Sequence, residues 1–207
     1  MMINAFREEN NIIDTFRVRA SLIKTIGIWE NGRLNWLRES GEQLLTEQGL
    51  FIKISQPFIH SKLLLTKIAI SNHLSYTRKI KLIIMHQHPK VRKEHLSFIS
   101  PAEDVILHLA SDRAYLVNGY GGEGIQQRTI QPNWKVRSEQ IWSSAEKGIL
   151  LYQPMVKGAA TSIYTADHTL AGRTTSHSSH WIIESSKEEE LIHLNQVLLE
   201  KQTSISI

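Results

Sequence analysis

The sequence predicts a mainly β fold, an antiparallel β-sandwich of Ig-like or jelly-roll-like type followed by a C-terminal α-helix. Three observations predict it. Apolar and polar residues alternate at period two through residues 50–87, the pattern of half-buried strands. Turn residues break the apolar runs at short intervals along most of the chain, as in sandwiches and barrels. Only near the C-terminus does a capped start lead into an apolar stripe at helical spacing.

The individual elements follow from local chemistry. Residues 50–56, 63–71 and 77–87 read as consecutive antiparallel strands, because Ile52 and Ile54, then Ile68 and Ile70, then Ile80, Leu82 and Ile84 each line one side. Asn72 and Ser75 supply the turn between the second and third, since their side chains bond nearby backbone. Upstream, Asn31-Gly32 separates apolar runs at 22–29 and 33–37, a hairpin signal because both residues tolerate positive φ. Downstream, the glycine-rich stretch 119–124 separates strands at 114–118 and 125–130, and runs at 148–155 and 161–165 add two more. The total is roughly nine or ten strands, which suits a sandwich. Ser100, Pro101 and Glu103 make a helix-start pattern, but the β-rich run behind them favours a strand at 105–110. Residues 40–48 fit a short helix or a strand.

The segment 171–185 is rich in Ser, Thr and His and shows no periodicity at its start, so it reads as a polar linker or loop. Ser186 and Glu189 then form a capping box, Glu188, Glu189 and Glu190 place negative charge at a helix N-terminus, and Leu191, Leu194 and Leu198 form a stripe. The expected organisation is a flexible N-terminus at 1–15, a sandwich domain at 16–170, the linker at 171–185, and a helix with its tail at 186–207.

Composition narrows the chemistry. With 207 residues, 41% of them hydrophobic, the chain can bury a core. It has no cysteine, which excludes disulfides, thiolate metal sites and cysteine nucleophiles. Residues 1–14 carry Arg7, Glu8 and Glu9 and lack the apolar stretch of a signal peptide. No run approaches the roughly 20 apolar residues of a membrane span. A cytoplasmic location is the expectation.

Charge is segregated. Residues 60–94 hold eight Lys/Arg against Glu94 alone, whereas residues 1–59 balance seven against seven and residues 95–207 hold nine against twelve. Within the basic segment, Arg78, Lys79, Lys81, Lys90, Arg92 and Lys93 form a candidate surface for a polyanion or nucleic acid, bound through charge. Lys79 and Lys81 alternate with Ile80 and Leu82 and so point outward together. Aromatic residues do not interleave with these cations, which argues against base-specific readout.

His86 and His88 are the candidate metal ligands, since residues two apart on a strand share a face; His95 or His108 would have to complete the set. The pair followed by Glu94 resembles the first metal motif of the cupins. It departs from it in a longer gap to the glutamate, in Ile80 where that motif has glycine, and in lacking the second motif. His86 also continues an apolar row, so a packed histidine without metal is the expectation, and no cofactor is expected. His177 and His180 sit in the polar stretch, where nothing fixes their geometry. The glycines at 119–124 lack the following helix that a phosphate loop needs. Asp167-His168 satisfies no triad spacing rule. Trp29, Trp36, Trp134, Trp142 and Trp181 read as core anchors.

The expected function is therefore that of a non-catalytic interaction or structural protein, with a protein partner or self-association. Polyanion binding through 62–93 is the alternative, and a histidine-based metal-dependent enzyme the third.

Overall fold

The computed structural model describes residues 22–90 and 92–203. Sixteen strands and two α-helices are present among them: β1 (Ile23–Glu30), β2 (Arg33–Trp36), β3 (Gly41–Leu45), β4 (Leu50–Ser55), β5 (Phe58–His60), β6 (Leu63–Asn72), β7 (Arg78–Gln87), β8 (Leu96–Ser100), β9 (Val105–Ala110), β10 (Arg113–Gly121), β11 (Ile125–Pro132), α1 (Asn133–Arg137), β12 (Trp142–Ser144), β13 (Ile149–Leu150), β14 (Met155–Lys157), β15 (Ala160–Leu170), β16 (Thr175–Ser185) and α2 (Glu188–Thr203). The smaller main sheet has five strands in the order β11-β15-β7-β1-β2. The larger has nine, in the order β14-β8-β9-β10-β16-β6-β4-β3 with β5 also on β6. Strands β12 and β13 form a separate pair. Every pairing is antiparallel.

The two main sheets pack face to face. Ile26, Ile28, Ile80, Leu82, Ile84 and Ile130 of the smaller meet Leu50, Ile52, Ile54, Ile68, Ile70, Ile106, Val117 and Ile182 of the larger in one core. The outer face of the larger sheet is also buried, because Leu65, Leu107, Leu116, Trp181 and Ile183 pack under Leu191 and Leu198 of α2. On the smaller sheet's outer face, Ile83, Met85 and Ile163 are covered by Ile141 and Leu150. Burial on both faces explains the continuous apolar run 82–85, where strict alternation would leave one face wet.

The first hairpin turns at Asn31 and Gly32 with φ of 49° and 80°, the positive values its sequence requires. Residues 40–48 resolve into β3 and a 3-10 turn at Thr46–Gln48. Ser100 does bond Glu103, but the pair closes the turn between β8 and β9 and no helix follows. The run at 148–155 is two short strands, β13 and β14, rather than one.

The linker expected at 171–185 is not there. Most of it is β16, an eleven-residue strand held between β10 and β6 in the larger sheet. Its backbone is hydrogen-bonded on both sides, so the ladder, not side-chain hydrophobicity, defines the strand. The expectations for residues 1–15 and for a sandwich beginning at residue 16 lie outside the described residues.

Candidate functional site

At one end of the sandwich the interior turns polar. The inward row of β7 runs Ile80, Leu82, Ile84 and then His86 and His88, both buried. Register places Lys24 of β1 and Ser162 of β15 on either side of His86, so three neighbouring strands present one transverse polar row. Each member reaches across to the larger sheet. Lys24 Nζ donates to Thr66 Oγ1 on β6, His86 Nε2 lies 3.0 Å from His180 Nε2 on β16, and Ser162 Oγ lies 2.7 Å from His108 Nε2 on β9. These three bridges satisfy most of the buried polar atoms that would otherwise carry a desolvation cost.

The surroundings fix the tautomers. The Asn118 carbonyl accepts from His180 Nδ1 at 3.1 Å, which puts the proton on Nδ1, and the Tyr164 hydroxyl oxygen lies 2.8 Å from the same nitrogen. His180 Nε2 therefore accepts, and His86 Nε2–H donates to it. His86 Nδ1 is left a buried lone pair with no protein partner. Gly119 makes room for this arrangement: a Cβ there would stand 2.6 Å from the Tyr164 hydroxyl and 2.9 Å from the Ser179 carbonyl oxygen. His108 is fully engaged, its Nδ1 being 2.8 Å from Ser97 Oγ.

Burial decides the charge state of the cluster. It holds His86 well below the ordinary histidine range, with His180, His108 and Lys24 adding like-charge repulsion. His180 is likewise pushed well down by burial and by Lys24, against the opposing bond to Asn118. Burial, helped by His88 and His95, takes His108 down to about 3. Lys24 is lowered to about 8 by burial, with Glu39 opposing. The row is thus kept neutral at its imidazoles.

The polar end opens to solvent through a cleft of about 260 Å³ lined by His88, Pro89, Lys90, Arg92, His95, Ala110, Ser111, Asp112 and Tyr115. The His88 and His95 rings lie tilted at 46° with centroids 4.3 Å apart, and His88 meets His108 at 5.4 Å and Tyr115 at 5.7 Å edge-on. His88 and His95 are only 8% and 5% exposed, and His88 Nε2 and His95 Nδ1 have no hydrogen-bond partner among the described residues. Burial, then the neighbouring His95, lowers His88 to about 4. Backbone bonds pin the connecting loop, His95 N donating to Arg92 O at 3.3 Å and Gly158 N to His95 O at 2.7 Å.

The six basic candidates divide. Arg78 turns inward rather than standing beside Lys79, and pairs with Glu30 while donating to the Gln48 carbonyl. Lys81 is half-buried and holds both oxygens of Asp167, at 2.8 and 2.7 Å. Lys79 is exposed near the start of β7, and Lys90, Arg92 and Lys93 are exposed beyond its other end. The eight residue steps along the strand from Lys79 to Gln87 separate the two groups by about 26 Å at the usual rise.

His86 and His88 do share the inward face, and His88, His95 and His108 have their rings together. Even so, among the described residues no three His, Asp or Glu side chains converge as metal ligands. His177 is exposed while His180 is buried, because residues three apart on β16 face opposite sides. His168 sits between Ser176 Oγ at 2.8 Å and Ser178 Oγ at 3.0 Å, with Asp167 turned to Lys81. Of the glycines at 119–124, Gly119 and Gly121 lie in β10 and Gly122 and Gly124 in the turn to β11, with positive φ at Gly121, Gly122 and Gly124. Of the tryptophans, Trp181 is fully buried, Trp29 and Trp142 are half-buried, and Trp36 and Trp134 are exposed.

Lys24, Ser162 and Tyr164 escaped the sequence reading, which raised His180 only as a neighbour of His177 in a polar stretch. A signal was present for Lys24, at the inward parity of a strand whose next two inward residues are Ile26 and Ile28. No helix among the described residues is long and apolar enough to cross a membrane. No protein-family model and no curated protein matches the sequence.

Proposed function

We propose that the protein is a non-catalytic binding protein that seats a compact anionic group, a carboxylate or phosphoryl group, in the cleft at His88 and His95. The observation that carries this reading is the pair of unpartnered imidazole nitrogens, His88 Nε2 and His95 Nδ1, buried in the wall of an open cleft. Buried polar atoms in folded proteins nearly always have a partner, and here the cleft is where one would come from. Charge on the lining gives the sign. Lys90 and Arg92, the latter 3.9 Å from Glu94 outside the lining, stand against one lining carboxylate, Asp112, which lies 3.7 Å from Arg113. An imidazole N–H donates to an anion, and two cations nearby supply the long-range attraction.

Titration calorimetry with sulfate, inorganic phosphate and acetate tests the reading. The expected result is saturable binding of at least one of them, weakened tenfold or more, about 1.4 kcal/mol, in a Lys90→Glu/Arg92→Glu variant. Absence of binding by all three overturns it. Stoichiometric zinc uptake abolished by His88→Ala, without anion binding, would put the metal-centred reading in its place.

A further inference from the structure

Resting on the anion-binding reading above, we propose that occupation of the cleft takes up one proton from solvent, carried by His88, so that affinity for the anion rises as pH falls.

The geometry singles out His88. Of the other imidazoles in the cluster, His108 has both nitrogens against serine hydroxyls, and His180 has its nitrogens against Asn118, Tyr164 and His86. Both are fully buried and neither lines the cleft. His86 keeps a bare nitrogen but is 0% exposed and does not line the cleft. His88 and His95 both line the cleft with an unpartnered nitrogen, and of the two it is His88 whose ring also meets those of His108 and Tyr115. The charged groups around it are Lys90 and Arg92 from its own connection, Glu94 in that loop, and Asp112 and Arg113 from the β9–β10 turn. The two lining cations oppose an imidazolium while the cleft holds no anion. An anion seated beside them reverses that balance and accepts a hydrogen bond from Nε2–H. Burial keeps the ring neutral until then.

The binding reaction is then neutral His88 plus a solvent proton plus the anion, giving imidazolium and anion as a hydrogen-bonded ion pair, with no other bond made or broken. Linkage fixes its pH dependence. Uptake of one proton makes affinity rise about tenfold for each unit that pH falls, over the range where free His88 is neutral and bound His88 is charged.

Sulfate is the probe, because it does not titrate between pH 5 and 8, and any proton counted belongs to the protein. Calorimetry at pH 6.5 in two buffers of different ionisation enthalpy gives the proton number. The expected result is about one proton taken up by the wild-type protein and about none by His88→Gln, which still binds sulfate more weakly through Lys90, Arg92 and His95. A second measurement uses the wild-type chain only: the His88 imidazole resonances, followed by NMR against pH, should titrate at higher pH with sulfate than without. Sulfate binding with no proton uptake, or with the same uptake in His88→Gln, overturns the inference and leaves the anion site standing. No sulfate binding at any pH from 5 to 8 overturns the inference, and the anion reading falls with it when phosphate and acetate also fail to bind.

Discussion

Lys24 and His86 stand in register on neighbouring strands inside the sandwich, so two groups that each gain charge by protonation share one buried space. The fold resolves the conflict by keeping the imidazole neutral and lowering the lysine to about 8. Both shifts make the folded state a poorer proton acceptor than the unfolded chain, and this sets the sign of the pH dependence.

Stability is therefore expected to fall as pH drops below about 6.5, the ordinary histidine value, and to go on falling toward the folded values of about 4 for His88 and 3 for His108. Lys24 acts in the same direction in a higher window, from its unfolded value of 10.5 down to about 8. Urea unfolding at pH 5, 6, 7 and 9 checks this. A midpoint unchanged between pH 7 and 5 would contradict it.

Removing one partner of the His86–His180 contact should cost more than removing both. His180→Ala strands the His86 Nε2–H inside the sandwich and opens a cavity, a loss of about 2–5 kcal/mol. In His86→Leu with His180→Leu, the buried N–H and lone pair disappear together. Urea unfolding should show the double variant less destabilised than His180→Ala; a double variant destabilised by as much or more would mean that the two rings are not coupled.

Gly119→Ala is expected to destabilise by about 1–3 kcal/mol, through contact of the new methyl with the Tyr164 hydroxyl and the Ser179 carbonyl. Tyr164→Phe in the same chain relieves the first contact and not the second, so it should restore part of the loss. Full stability in Gly119→Ala alone would show that Tyr164 has room to withdraw.

Asn195 ties α2 to the sheet. Its Oδ1 accepts from Trp181 Nε1 at 3.0 Å and from Asn118 Nδ2 at 3.1 Å, all three residues being buried. Asn195→Leu leaves two donors unpaired and should cost about 2–4 kcal/mol, with a red shift of tryptophan emission as Trp181 loosens. An unmoved spectrum together with unchanged stability would argue that α2 is held by its leucines alone.

The sequence carried the alternation of β4, β6 and β7, the Asn31-Gly32 turn and the helix after Ser186, because each depends on residues close together in the chain. It also carried the shared face of His86 and His88. What it did not carry is which strands lie opposite one another. His86 meets His180 94 residues away, and His108 meets Ser162 54 residues away. No local period encodes those distances. The strand β16 was hidden for a related reason. Its first half, Thr-Ser-His-Ser-Ser, is polar, and it is a strand because β6 and β10 hold its backbone on both sides. The basic segment shows the converse. Its charge excess is real in the sequence, yet Arg78 and Lys81 find acidic partners on other strands, Glu30 and Asp167, which only the fold brings near.

The position of β16 also governs when this protein can fold during synthesis. Ser71 on β6 bonds Thr175 across 104 residues, and Asn118 on β10 bonds His180 across 62. A ribosome delivers the chain from its N-terminus, so β6 and β10 emerge with the central slot between them empty. The larger sheet stays split until residue 185 has cleared the exit tunnel, and two apolar-flanked strand edges remain unpaired throughout elongation. Such edges recruit foreign strands. Nascent chains stalled before residue 175 should consequently be bound by chaperones and sensitive to protease, and emergence of β16 should trigger a single late closure, slow in the way expected of long-range β pairing.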